Sequence, residues 1–275
     1  MAAPRLFASK WTLSYALRSS SWPDLIEKLR QSASFHGVEA SLSDLGATGP
    51  ERLANAALLR RSGLALIVGL YSSWDDYEGP YAAAPPRDHL RQLEAQLAEA
   101  EGLGATMLNV HGGDDSWDER RTAEYFAGAS ALLRGREAAH ETHRGRCLFH
   151  PAATARVLER FGDISVTLDV SHWFLVCERL SAFADVAELV APRVKHVHAR
   201  IGSTQAPQVE DPAVDADAAA AHLAAWRAVL KPNLTWTPEY GPPPYQFDRS
   251  PSGPEALWSQ TLAAASQLRD LSAGT

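Results

Sequence analysis

The feature that most constrains this chain is an alternation. Eight short, mostly apolar segments read as strands, and stretches of helical periodicity separate them. The segments are LFASKWTLSY (6–15), SFHGVEASL (34–42), LALIVGLYS (64–72), ATMLNVHGG (105–113), AAHETHRG (138–145), ISVTLDVSHW (164–173), VKHVHARIG (194–202) and LTWTPEYGP (234–242). Between the third and fourth, Leu90, Leu93, Leu97 and Ala100 recur on one helical face, and Gly102 and Gly104 supply the stop. Earlier, Pro50 opens the stretch PERLANAALLRRSG and Gly63 closes it, the usual asymmetry of helix ends. Unbroken strand–helix alternation implies parallel strands joined by crossover helices. Eight such units in 275 residues predict one α/β domain over 1–275, a closed (β/α)8 TIM barrel. A doubly wound open sheet is the alternative. It would carry a glycine-rich phosphate turn after its first strand, and SYALRSSSWPD has none.

With 45% hydrophobic residues the chain can bury a large core. Its formal net charge of −7, with no basic stripe, argues against a partner bound through a phosphate backbone. Cys147 and Cys177 stand far apart and in no metal-ligand spacing, which suggests a reducing compartment. MAAPRLFASKW lacks the apolar run of a signal peptide, and no segment is apolar enough to span a bilayer. The expectation is a cytoplasmic protein with a small-molecule substrate, and neither nucleic acid nor membrane as partner. The irregular stretches 73–86 and 203–216 follow strands, so a barrel would place them on its catalytic face as candidate lids.

One segment has the wrong residues for a buried strand. AAHETHRGRCLFHP carries His140, Glu141, His143, Arg144 and Arg146 where a core wants Val and Ile. Side chains at the C-terminal ends of barrel strands converge on one pocket, and four successive segments carry a potential metal ligand there. These are Glu141 in the fifth, Asp169 in the sixth, His196 and His198 in the seventh and Glu239 in the eighth. Three carboxylates and an imidazole suit Mn²⁺, Mg²⁺, Co²⁺ or Zn²⁺. Without a cation the carboxylates would repel one another. Each residue alone has an ordinary alternative. Glu141 can pair with Arg144 or Arg146, a strand histidine can be a hydrogen-bonded core residue, and Asp169 can cap the next helix. Their coincidence on four strand ends is what those alternatives explain poorly.

Glu141, Asp169 followed by SHW, His198 in HVHAR and Glu239 in PEYGP together resemble the xylose isomerase-like barrel superfamily. That superfamily includes sugar isomerases, ketose 3-epimerases and apurinic endonucleases. The resemblance spans nearly the whole chain. It implies that Glu141, Asp169, His198 and Glu239 hold a single divalent metal ion, and that His172 contacts substrate oxygens. It also implies a homodimer or tetramer. The chain departs from the pattern in two places. Ketose 3-epimerases carry an arginine six residues after the metal histidine, where Thr204 stands here. The endonucleases carry an additional Asp-x-His after the seventh strand, where this chain offers Glu210 and Asp211 with no histidine.

A divalent ion chelated by adjacent oxygens of a hydroxy-ketone acidifies the neighbouring C–H and stabilises the enediolate. Isomerisation or epimerisation of a sugar, sugar acid or keto acid then needs a proton acceptor and donor, roles expected of Glu141 and Glu239. A metal-dependent lyase or dehydratase would use the same site. An endonuclease-like or non-catalytic binding role fits the acidic balance less well. Candidate substrate contacts are His111, followed by two glycines that would let a ligand approach the backbone, together with His143, Arg144, Arg200 and Trp173. Trp74 and Trp117 are further candidate pocket walls. Arg146, Lys10 and Glu39 are left without a single assigned role.

Overall fold

Eight parallel strands close on one another in chain order, so that β1 pairs with β2 on one side and β8 on the other. The strands are β1 (Arg5–Ser9), β2 (Gly37–Ser41), β3 (Ala65–Tyr71), β4 (Met107–His111), β5 (Ala138–Glu141), β6 (Val166–Leu168), β7 (Val194–His198) and β8 (Thr235–Thr237). The helices are α1 (Lys10–Leu17), α2 (Trp22–Ser32), α3 (Leu42–Leu45), α4 (Gly49–Arg61), α5 (Pro86–Ala100), α6 (Glu119–Leu133), α7 (Pro151–Arg160), α8 (Val170–Val176), α9 (Ala187–Val190), α10 (Ala216–Val229) and α11 (Pro254–Ala273). This computed structural model describes residues 4–32, 34–73, 84–209, 215–243, 245 and 253–273. Most of the expected lid at 73–86, including Trp74, and residues 210–214 of the other lie outside the described residues, as do Glu210 and Asp211. Among the described residues no helix is long and apolar enough to cross a membrane.

The chain forms the expected barrel, with strands shorter than their apolar segments. The first segment turns helical at Lys10, where α1 begins directly after β1. The sixth yields three strand residues because Asp169 takes the N-cap of α8, its carboxylate accepting from Ser171 N at 3.0 Å. The fifth ends at Glu141, so His143 lies in the following loop rather than on the strand, and Arg200 likewise lies beyond β7. Helix α4 starts where Thr48 and Glu51 form a reciprocal cap, with Pro50 in the first turn.

Strand alternation sorts the side chains into an outer face under the helices and an interior. Leu66, Val68, Val110, Val166, Val197 and Trp236 belong to the large outer cluster. The interior is closed by a separate apolar plug of Phe7, Ile67, Met107 and Ala139. Gly37 is required beside it, since a Cβ there would stand 2.5 Å from the Phe7 ring. Two residues further along these strands the interior turns polar, at Glu39 and Asn109. The plug therefore forms the floor of the site.

His140 faces the other way, outward against Phe126, with ring centroids 5.0 Å apart. It is 2% exposed, and neither ring nitrogen has a hydrogen-bond partner among the described residues. Burial pushes its pKa down to about 4. Between pH 6.5 and 4 the unfolded chain binds this proton and the folded chain does not, so stability falls as pH drops through that window. The loss from this residue is about 3 kcal/mol. His140→Leu is expected to raise the melting temperature and to flatten its decline between those pH values, measured by thermal denaturation across pH. An unchanged pH profile would contradict this account.

Candidate active site

The four strand-end residues meet at one end of the barrel. Ligand atoms of Glu141, Asp169 and His198 all lie within 4.8 Å of one another. Glu239, two residues past β8, brings Oε2 to 3.1 Å from His198 Nδ1. Glu141, His198 and Glu239 open into a cavity of about 760 Å³, lined also by Trp11, Tyr71, His111, His143, Arg144, Arg200 and Tyr245, while Asp169 is fully buried behind them. That volume suits a small organic ligand.

Glu39 organises this end from below. Its carboxylate accepts from Asn109 Nδ2 at 2.9 Å and from Thr237 Oγ1 at 2.6 Å. It also lies 3.1 Å from His196 Nε2 and 3.0 Å from His198 Nε2. Burial pushes the carboxyl up, but the two imidazoles more than offset that and hold it well below the usual carboxylate range. The ionised Glu39 fixes the His198 proton on Nε2 and turns Nδ1 toward Glu141 Oε1 and Glu239 Oε2, at 3.4 and 3.1 Å. Nδ1 is buried and aligned to hydrogen-bond with neither. Burial alone would lower the His198 pKa, yet the surrounding Glu239, Glu39 and Glu141 carry it well above the usual value. The site thus draws a positive charge to that atom. An imidazole lone pair among carboxylates is a donor set that fits a divalent cation.

The remaining contacts orient the carboxylates. Glu141 receives Asn109 Nδ2 and His111 Nε2, each at 3.0 Å from Oε2. Burial raises its pKa, and His111 and His198 outweigh that to hold it well below the ordinary range. Asp169 engages both oxygens, Oδ1 with Ser171 N and Oγ, Oδ2 with Arg200 Nη2 at 2.5 Å. Its pKa is raised, because burial outweighs Arg200. Thr142 Oγ1 braces the same residue, accepting from its N–H at 2.8 Å and donating to its carbonyl at 3.0 Å. The helix-capping role and the place in the cluster thus coexist in Asp169.

Several sequence expectations change. Arg200 is 2% exposed and spent within the protein, reaching Asp169, Glu239 Oε2 at 3.4 Å and His172 Nε2 at 3.0 Å. It is an internal counter-charge that also lines the cavity. His172 is fully buried behind Arg200 and His143, and is not among the cavity-lining residues. Trp173 is no substrate contact. It points into the outer core, packs on Phe183, and donates from Nε1 to Leu148 O at 2.9 Å, because α8 begins at Val170, directly after its cap Asp169. Trp117 lines a separate cavity of about 170 Å³ near α6 and α7. Arg146 is buried with Nη1 on Ser73 Oγ, and Lys10 is held by Ser14 over the Trp22 ring. The glycines after His111 serve packing rather than a ligand. A Cβ on Gly112 would stand 2.3 Å from Tyr125 Oη, and one on Gly113 2.1 Å from Cys147 Sγ.

Asn109, Trp11, Tyr71 and Tyr245 escaped the sequence reading. Asn109 was findable, since it alternates with His111 on β4 and so faces inward. The Tyr71 ring stacks on His111 at 4.2 Å, and Tyr245 reaches the pocket from a loop with no sequence signal.

No family model matches the chain, and no curated protein does. Solved structures do. A D-psicose 3-epimerase crystallised in the presence of D-fructose aligns with TM-score 0.66 at 14% identity, covering 97% of this chain and 99% of that one. A xylose isomerase domain-containing protein from Salmonella typhimurium gives 0.62 at 15%, covering 98% and 99%. Endonuclease IV from Thermus thermophilus gives 0.60 at 15%, covering 97% and 99%. The chain therefore has the fold of the xylose isomerase-like TIM barrels. At such identities the likeness is one of fold, and it leaves the chemistry to the site.

Proposed function

We propose that this chain is a divalent-metal-dependent isomerase or epimerase that moves a proton next to the carbonyl of a small polyhydroxylated substrate. The observation that carries this reading is the buried, unaligned His198 Nδ1 set among carboxylates at the open end of the barrel. The residues that would hold the ion are Glu141, Asp169, His198 and Glu239. When bound, the ion supplies polarisation of the substrate carbonyl and neutralises negative charge developing beside it.

The protein's own groups do the rest. Glu141 and Glu239 flank His198 Nδ1 and are assigned as the pair that removes and returns the proton. Glu141 is nearly inaccessible and Glu239 is partly open to the cavity, which gives the two different environments. Arg200 pairs with both Asp169 and Glu239 and supplies a positive charge between them. Trp11, Tyr71 and Tyr245 wall the cavity. An epimerase fold among the neighbours supports the choice of reaction class, by analogy of fold alone.

The test combines metal analysis with incubation of ketoses and keto acids in D2O. The purified protein is expected to contain a divalent ion and to place solvent deuterium on a substrate carbon. Chelation should abolish that exchange, and Mn²⁺, Mg²⁺ or Co²⁺ should restore it. Full exchange by the metal-free protein would refute the proposal.

A further inference from the structure

The charges around the cavity are separated. The carboxylates of the floor lie deep, and each has cationic or donor groups on it: Glu39 has His196 and His198, Glu141 has His111, and Asp169 and Glu239 share Arg200. Two further carboxylates line the cavity nearer solvent, Asp44 in the cap of α3 and Asp115, which accepts from Gly145 N. Arg144 stands apart from this arrangement. It lines the cavity half-buried, and among the described residues it takes part in none of the ion pairs of the pocket.

Its place is built rather than incidental. The loop is pinned on both sides of it. His143 Nδ1 contacts the Arg144 carbonyl, Gly145 N donates to Asp115 at 2.9 Å, and Arg146 Nη1 is buried on Ser73 Oγ. The guanidinium lies over the Tyr245 ring at 5.2 Å, and Arg200 covers the same ring at 4.8 Å. Tyr245 in turn brings its hydroxyl to 3.4 Å from His143 Nε2. A guanidinium stacked on an aromatic face keeps its donor edge free for a planar anion. Because Arg144 and Arg200 flank one ring, the rim cation stands within a small molecule's length of Asp169 and Glu239.

We propose that the substrate of this cavity carries an anionic group, a carboxylate or a phosphate, which Arg144 receives at the rim while its hydroxy-carbonyl end reaches Glu141 and Glu239. The inference rests on reading this cavity as the substrate site. It adds a specificity that the carboxylate-lined floor does not provide. A neutral sugar would leave the Arg144 charge unanswered, whereas an anionic one gains a charge-assisted hydrogen bond.

Three ketohexose probes that differ only at C6 test it: D-fructose, D-fructuronate and D-fructose 6-phosphate. Each is titrated calorimetrically into Mn²⁺-supplemented wild type, Arg144→Met and Arg144→Lys. Met keeps the aliphatic stem and removes the charge, and Lys keeps the charge without the fork. At least one anionic probe should bind wild type about tenfold more tightly than D-fructose. Arg144→Met should erase that preference by weakening the anionic probe far more than D-fructose, with Arg144→Lys intermediate. The stronger anionic arm identifies the group. Equal binding of all three, binding of none, or a preference that survives Arg144→Met would overturn the inference. Deuterium exchange run in parallel separates the two readings. Metal-dependent exchange on D-fructose without any anion preference sinks only the Arg144 proposal. An anion preference lost in Arg144→Met, with no exchange on any probe, sinks only the proton-transfer assignment.

Discussion

Replacing Glu141 with Gln is expected to lower turnover by about a thousandfold or more while leaving the barrel folded. Glu141 sits at the end of β5, 2% exposed, with Asn109 and His111 on one oxygen and His198 facing the other. Glutamine matches its shape and retains one oxygen to accept those donors, so the packing cost is small. It removes the negative charge that an ion would need and the basicity that proton abstraction would need. Both losses fall on the same atom pair, which is why the effect exceeds that of an ordinary pocket contact. The measurement is metal-supplemented deuterium exchange, with thermal denaturation as the control for folding. A variant that melts normally and keeps a tenth of the activity, about 1.4 kcal/mol of barrier, would remove Glu141 from the chemistry. Glu239→Gln should behave likewise, with less effect on stability because Glu239 is the more exposed of the two.

Glu39→Gln is expected to weaken divalent-ion binding by about 10- to 100-fold without touching any proposed ligand. Glu39 holds His198 through Nε2, and that contact is what leaves Nδ1 facing Glu141 and Glu239. A neutral amide accepts more weakly from Nε2–H and can present its own N–H to one of the imidazoles. The ring then loses both its fixed tautomer and its fixed orientation. Some stability is lost as well, because the carboxylate also serves Asn109, His196 and Thr237. Isothermal titration with Mn²⁺ reads the affinity directly, and an unchanged dissociation constant would show that Glu39 only fills the barrel. Thr237→Val removes one donor to Glu39 and leaves the imidazole contact in place, so its effect on affinity should be smaller.

Much of this site was legible before folding was considered. Glu141, Asp169, His198 and Glu239 stand out because ionisable side chains at the ends of apolar strands need a reason. Glu39 was visible in GVEAS but ambiguous, since a lone carboxylate near a strand end has several ordinary roles. Asn109 attracted no notice, although it shares the inward face of β4 with His111. A neutral amide carries no charge to explain, and so it gives no signal until its partners are known. Trp173 lies away from the pocket, and Arg200, though it lines the cavity, turns further inward than its place after β7 implies. Spacing says that a residue follows a strand end, but it does not say which way the chain turns there. The N-cap at Asp169 starts α8 at once and swings Trp173 into the core, and Arg200 is drawn inward by the carboxylates that follow β6 and β8.

The sequence by itself determined the barrel, its strand order and the residues that arm its open end. Those follow from period-two and helical periodicities, which are local properties of the chain. Only the tertiary structure decided how the charges are shared. Glu39 to His198 spans 159 residues of chain, and Arg200 to Asp169 joins two different strand ends. Pairings of that kind depend on distances across the barrel, and the alternation of residues along any single strand carries no record of them.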